Sequence, residues 1–147
     1  MTIELQAGTD TSPQHLYEIF RAALEEQVNV VRGEPWNENR EQTQFLNQPD
    51  LQSIHLIIKQ EQCVGYIDIR NNDNASFIHL MVITPQYQRM GIGSCVLNLL
   101  KEKNATHKPI ELTVFKSNYD AQKFYARHHF HITEERKHHY LMRWTPK

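Results

Sequence analysis

The chain has 147 residues, with 16 Lys and Arg against 17 Asp and Glu for a net charge of −1, and a mean hydropathy of −0.63. That length suits one domain spanning 1–147, large enough to build a core without a metal or the disulfide framework that two cysteines, Cys63 and Cys95, cannot supply. Balanced charge argues against nucleic acid and anionic membranes as partners. No apolar run reaches the roughly 20 residues of a spanning helix, and the N-terminal MTIELQAG lacks a basic secretory start, so the expectation is a cytoplasmic protein.

In chain order, Thr2 to Gln6 alternates apolar and polar residues as a short strand does, and Ser12-Pro13 reads as a helix cap followed by a residue preset for the first turn. Leu16, Ile19, Phe20, Ala23 and Leu24 continue at helical spacing. Gly33 to Pro35 breaks the chain before a second helix from about Glu38 to Asn47, which Pro49 stops. Three strands follow: Ser53 to Lys59, then Cys63 to Arg70 across a turn at Glu61-Gln62, then Ser76 to Ile83 after the turn residues Asn71 to Asn74. The third is free of charged residues and belongs in the middle of the sheet.

Ile92, Cys95, Val96, Leu99 and Leu100 form the clearest helical stripe. Ile110 to Phe115 is a strand, and Ser117 with Asp120 resembles a capping box opening a helix with Ala121, Phe124 and Tyr125 on its apolar side. Phe130 to Arg136 and Tyr140 to Trp144 are the last two strands. The order β-α-α-β-β-β-α-β-α-β-β describes a mixed sheet with helices on its faces.

One segment carries chemistry: Val82-Ile83-Thr84-Pro85-Gln86-Tyr87-Gln88-Arg89-Met90-Gly91-Ile92-Gly93-Ser94. A central strand ends and a glycine-containing turn leads into a strong helix, whose free N–H groups and dipole favour a phosphate. Gly91 and Gly93 let an anion approach the backbone, and Arg89 adds a charge-assisted donor. A Walker loop is absent, and Val96 stands where a dinucleotide fingerprint needs a third small residue. A glycine pair that merely shapes a tight turn is the plain alternative.

Gln88-Arg89-Met90-Gly91-Ile92-Gly93 resembles the Q/R-x-x-G-x-G/A signature of the GNAT acetyltransferase superfamily. Leu112 to Tyr125 is similar to its V…N…A…FY segment, and Tyr140-Leu141-Met142 to its last strand. The resemblance covers roughly Cys63 to Trp144 and implies the GNAT fold, α/β with a mostly antiparallel central sheet and about four flanking helices. In one place the chain departs from the family: His129 stands where a glycine usually ends the helix in a left-handed conformation, which His tolerates better than a β-branched residue.

The resemblance implies transfer of an acetyl group from acetyl-CoA to a primary amine by direct attack in a ternary complex, with no metal. The acceptor is unidentified, a small-molecule amine being favoured over a peptide, and the protein is a monomer or homodimer. Main chain of Met81, Val82 and Ile83 is then expected to hold the pantetheine arm, with an N–H at Met81 or Val82 facing the thioester oxygen. Gln88, Arg89, Met90, Gly91, Ile92, Gly93 and Ser94 take the pyrophosphate, and Asn118 holds the arm by its side chain. Tyr125 matches the family's general acid, protonated at neutral pH by its ordinary pKa of about 10. Against these roles, Tyr125 also reads as a core tyrosine and Asn118 as a cap.

His79, on the central strand, is the candidate base, since an imidazole accepts a proton near neutral pH; a packed, hydrogen-bonded histidine is its other reading. Glu111 competes, two residues before the position where peptide-acetylating relatives carry a glutamate and this chain has Thr113. Trp36, Glu34 and Glu38 suit an acceptor pocket for a cationic amine or a surface-anchored Trp. The histidines from His128 to His139 lack the Cys or carboxylate partners of a metal site and suit a solvated edge, an oligomer contact or a substrate rim. Cys95 reads as packing. The rival reading is a non-catalytic acyl-CoA-binding or sensor module of the same fold.

Overall fold

The computed structural model describes residues 2–47, 52–103 and 108–146. Seven strands and four helices run in the expected order: β1 (Ile3–Ala7), α1 (Pro13–Arg32), α2 (Glu38–Leu46), β2 (Ile54–Lys59), β3 (Gln62–Asn71), β4 (Ser76–Ile83), α3 (Ile92–Lys103), β5 (Ile110–Phe115), α4 (Tyr119–Arg127), β6 (His131–Glu135) and β7 (His139–Trp144), with short 3₁₀ turns at Gly8–Asp10 and Pro85–Tyr87. Pro49, the expected stop of α2, lies outside the described residues.

Local chemistry sets the boundaries. Ser12 caps α1 by accepting from the His15 N–H at 3.1 Å, with Pro13 in the first turn. Asn37 caps α2 through the Arg40 N–H at 3.0 Å. The β2–β3 turn is Gln60-Glu61, one residue earlier than the sequence reading: Lys59 pairs with Gln62, and both turn residues have positive φ, 49° and 66°. A two-residue connection of that shape matches the twist of its strands.

One sheet holds all seven strands in the order β1-β2-β3-β4-β5-β7-β6. Every pairing is antiparallel except β4 with β5, so β4 is central as its uncharged sequence suggests. A register shift opposite Asp68/Ile69 leaves His79 as an extra residue in β4, since Ile69 pairs with Ile78 and Asp68 with Leu80. The shift resets the alternation of faces: Ile78, Met81 and Ile83 pack with α3 and α4, Leu80 and Val82 with α1 and α2.

Two cores result. On one side Ile57, Val64, Ile67, Ile78, Leu112 and Met142 meet Ile92, Val96, Leu97 and Leu100 of α3; on the other, Leu16, Tyr17, Ile19 and Phe45 cover Ile54, Leu56, Tyr66 and Val82. Full burial of each such aliphatic side chain stabilises the fold by roughly 1.5–3 kcal/mol. Glu41 is buried with them and ion-paired to Arg32 and Arg40, which meets the cost of taking its carboxylate from water.

Candidate active site

The glycine-turn segment after β4 is pinned before it turns. Thr84 N–H donates to the Val64 carbonyl at 2.9 Å, the Gln88 amide to the Ile83 carbonyl at 2.8 Å, and the Tyr87 hydroxyl to Gln62 Oε1 at 2.7 Å. Arg89 and Gly91 then take left-handed φ values of 63° and 81°, a geometry that Gly91 adopts without the Cβ clash. The helix starts at Ile92. Its first N–H with a described acceptor is that of Cys95, to the Gly91 carbonyl at 3.1 Å, so Ile92, Gly93 and Ser94 present theirs outward at the positive end of the dipole.

The two glycines serve different ends. A Cβ on Gly93 would stand 3.0 Å from Phe124 Cζ, so this glycine lets the α4 ring approach α3. Gly91 is the residue whose positive φ the turn requires.

A gap opens beside the loop. The β4–β5 ladder consists of Ser76–Ile110, Phe77–Glu111 and Ile78–Leu112, while β4 runs on to Ile83 and β5 stays with β7 to Phe115. Beyond Ile78 the β4 edge toward β5 is therefore unpaired. Thr84 bonds toward β3, so the alternation of an antiparallel pair gives Val82 to β3 and turns the main chain of Met81 and Ile83 toward the gap. Of the two N–H groups expected to face a thioester, Met81 is the one so aimed.

The far wall is α4. Asn118 caps it, its Oδ1 accepting from the Ala121 N–H at 3.1 Å, in place of the Ser117 start read from sequence. The cap leaves the Asn118 side-chain NH₂ for a ligand. The helix ends as a Schellman motif: His129 N–H donates to Ala126 O at 3.1 Å and Phe130 N–H to Tyr125 O at 3.0 Å, with His129 at φ 69°. His129 thus adopts the glycine conformation, as expected. Tyr125 packs between Phe124 and Phe130, ring centroids 5.2 and 5.6 Å away, and burial pushes its pKa up to about 12. Its hydroxyl makes no hydrogen bond to a described residue.

These elements enclose a cavity of about 830 Å³. The structure brings Met81, Val82, Ile83, Gln88, Arg89, Gly91, Ile92, Gly93, Ser94, Asn118 and Tyr125 to its wall. Met90 and His79 are not on it. Met90 is exposed on the turn, and His79 is the exposed extra residue of the β4 bulge, one position past the fork, with the Phe77 ring 6.4 Å away.

Sequence reasoning missed part of the wall: Ala23, Leu24, Glu26 and Gln27 of α1, and Lys123 and Arg127 of α4. Lys123 and Arg127, four apart on one helix face, were the legible signal. With Arg89 they make three cations against the carboxylates of Glu26 and Asp120, and Arg89 rests on Asp120 at 3.3 Å across the mouth.

The other candidates stand apart. Glu38 is occupied by Arg21, Tyr17 and the Trp36 indole, and Glu34 by Arg40 at 2.6 Å, so both carboxylates are already ion-paired in the second cavity, about 480 Å³, that they line with Trp36 at the α1–α2 junction. Glu111 is held by Arg143 at 2.8 Å. Among the described residues no group of three His, Cys, Asp or Glu side chains is placed to share a metal. Cys95 packs against the α3 core. No described helix is long and apolar enough to cross a membrane.

A glycine turn feeding a helix N-terminus, beside a parallel strand pair that parts halfway, defines an acyltransferase-type α/β architecture. The chain belongs to the acetyltransferase (GNAT) family, whose sequence model matches residues 14–130. It is 26% identical over 141 residues, 92% of this chain and 88% of the relative, to the acetyltransferase PseH of Campylobacter jejuni. The crystal structure of that protein in complex with acetyl coenzyme A superposes with a TM-score of 0.65 at 24% identity, over 99% of this chain and 100% of the other. The PaiA N-acetyltransferase of Thermoplasma acidophilum, in complex with coenzyme A, is similar in fold at TM-score 0.76 and 14% identity over 99% and 100% of the chains. The ribosomal-protein-S18-alanine N-acetyltransferase of Escherichia coli follows at 0.69 and 20%, over 98% and 92%.

Proposed function

We propose that the chain is an N-acetyltransferase that takes an acetyl group from acetyl-CoA and passes it directly to a primary amine. The observation that carries this is the single cavity wall that joins a free helix N-terminus, an unpaired strand edge and a buried tyrosine hydroxyl without a described partner. The donor set fits the coenzyme: N–H groups of Ile92, Gly93 and Ser94 with Arg89 for the pyrophosphate, the Met81 and Ile83 edge for the amide-bearing arm, and the Asn118 NH₂ beside it. The coenzyme supplies the activated thioester. Met81 N–H donates to the thioester oxygen as negative charge gathers there, and Tyr125 gives its proton to the departing sulfur.

His79 is the proposed base, acting through water because it lies off the cavity wall at the first position of β4 beyond the fork. Glu111 is committed to Arg143 and Thr113 offers no carboxylate, which favours a small-molecule amine over a peptide N-terminus. PseH and PaiA, solved with acetyl coenzyme A and coenzyme A respectively, support the coenzyme assignment.

The test is release of coenzyme A thiol from acetyl-CoA across polyamines, aminoglycosides, amino acids and short peptides. Amine-dependent release that Tyr125→Phe loses is the expected result. Coenzyme binding without release on any amine would overturn catalysis in favour of a binding or sensor module. His79→Gln is expected to lower kcat at neutral pH with coenzyme affinity intact.

A further inference from the structure

The C-terminal turn of α4 touches the phosphate loop from behind. His128, the C-cap of α4, lies outside the cavity, yet its Nε2 is 2.8 Å from Ser94 Oγ, and Ser94 is on the wall in the first turn of α3. Ser94 Oγ and the Phe124 ring hold the imidazole, and the residue's backbone is held separately. Its ring rests on Phe124, centroids 4.9 Å apart; Phe124 in turn fills the space left by the missing Cβ of Gly93; and Lys101 of α3 donates to the His128 carbonyl at 2.8 Å.

We infer that His128 is a positioning residue for coenzyme binding: by donating Nε2–H to Ser94 Oγ it leaves the Ser94 hydroxyl proton to point at a phosphate oxygen. This rests on the reading of the cavity as a coenzyme site. The alternative tautomer would take the hydroxyl proton for itself and turn Ser94 lone pairs toward an anion, which is repulsive. An anion in the loop therefore selects the Nε2–H form. Burial, and after it the charges of Lys101 on α3, Arg127 at the end of α4 and the adjoining His129, lower the His128 pKa and so disfavour a cationic imidazole. A phosphate opposes all of them and favours added protonation.

The experiment measures coenzyme A affinity by calorimetry for the wild type, Ser94→Ala, His128→Phe, His128→Gln and the Ser94→Ala/His128→Phe pair. Loss of the Ser94 hydrogen bond to a charged phosphate weakens binding by about tenfold or more, so Ser94→Ala is expected to do so, His128→Phe to weaken binding by less, and the pair to do no worse than Ser94→Ala alone. His128→Gln, which keeps an N–H donor at similar reach, restores most of the affinity. Unchanged binding in His128→Phe, or losses that multiply in the pair, would overturn the inference.

Imidazole NMR of the unmutated protein and of Ser94→Ala is independent of whether His128→Phe folds. Coenzyme A is expected to raise the titration midpoint of His128, and less so in Ser94→Ala; a midpoint that does not move, or moves equally in both, refutes the coupling. A wild type that does not bind coenzyme A refutes the cavity reading itself, an outcome distinct from a tight-binding His128→Phe.

Discussion

Replacing Tyr125 by Phe removes one oxygen and leaves the ring in its packing between Phe124 and Phe130. The lost hydroxyl has no described hydrogen-bond partner, so the fold should lose less than about 1 kcal/mol. Proton donation to a leaving group contributes about 10²–10⁴-fold, or roughly 2.7–5.4 kcal/mol of transition-state stabilisation at about 1.36 kcal/mol per tenfold.

The variant should therefore melt within a few degrees of the wild type and bind coenzyme A equally. Its kcat should fall by at least about a hundredfold in a thiol-release assay at saturating amine. Burial raises the phenol pKa to about 12 from an unfolded value of about 10. The folded chain thus keeps a proton that the unfolded chain loses between those values. Stability linked to this group is complete below about pH 10 and fades as pH climbs toward 12, while the acid stays loaded across the working range. A kcat within about threefold of wild type would refute the assignment. So would an alkaline limb near pH 10 that the Phe protein lacks.

Three further outcomes follow from single distances and angles. His129→Gly relieves a side chain held at φ 69° and should stabilise by about 1 kcal/mol net of glycine's chain entropy, raising Tm by about 2–4 °C in a calorimetric scan. Gly93→Ala puts a methyl 3.0 Å from Phe124 Cζ, a ring itself braced by Tyr125 and His128; overpacking of about 1–3 kcal/mol outweighs the gain of about 1 kcal/mol in helix propensity, so Tm falls, and Phe124→Leu in the same chain restores part of it. Lys123→Ala with Arg127→Ala should weaken coenzyme A binding severalfold and flatten its salt dependence, read by titration at two ionic strengths.

Much of this architecture is legible in the sequence because its signals are local. Ser12-Pro13, the uncharged stretch Ser76 to Ile83 and the Ile92–Leu100 stripe each announce one element, and the glycine turn before Ile92 announces the site. What escaped depends on tertiary placement. The His79 bulge follows from a mismatch between two paired strands, which no window of one strand contains. Glu26 and Gln27 reach the cavity because α1 lies against β4, not because their own spacing differs from any solvated helix face. The second demand on Gly93, room for a ring 31 residues downstream, is likewise invisible in the loop's own residues. Nor does the spacing of Glu34, Trp36 and Glu38 show that the two carboxylates are paired with Arg40 and Arg21.

The brevity of the β4–β5 ladder has a mechanical meaning. Among the described residues, three residue pairs and the adjoining Ser76 N–H to Pro109 O bond make the main-chain seam between a four-strand panel and a three-strand panel, and side chains of the α3 core also join the panels. Such a seam is a hinge unless something bridges it. A ligand whose arm bonds to the β4 edge and whose anionic end is gripped from α3 and α4 acts as a tie beam across it. Its binding energy then enters the folding equilibrium as RT ln(1 + [L]/Kd), about 2.7 kcal/mol at a hundredfold excess over Kd. Amide exchange in Met81, Ile83 and the upper half of β5 should slow together when the tie is in place, so that two panels breathe as one.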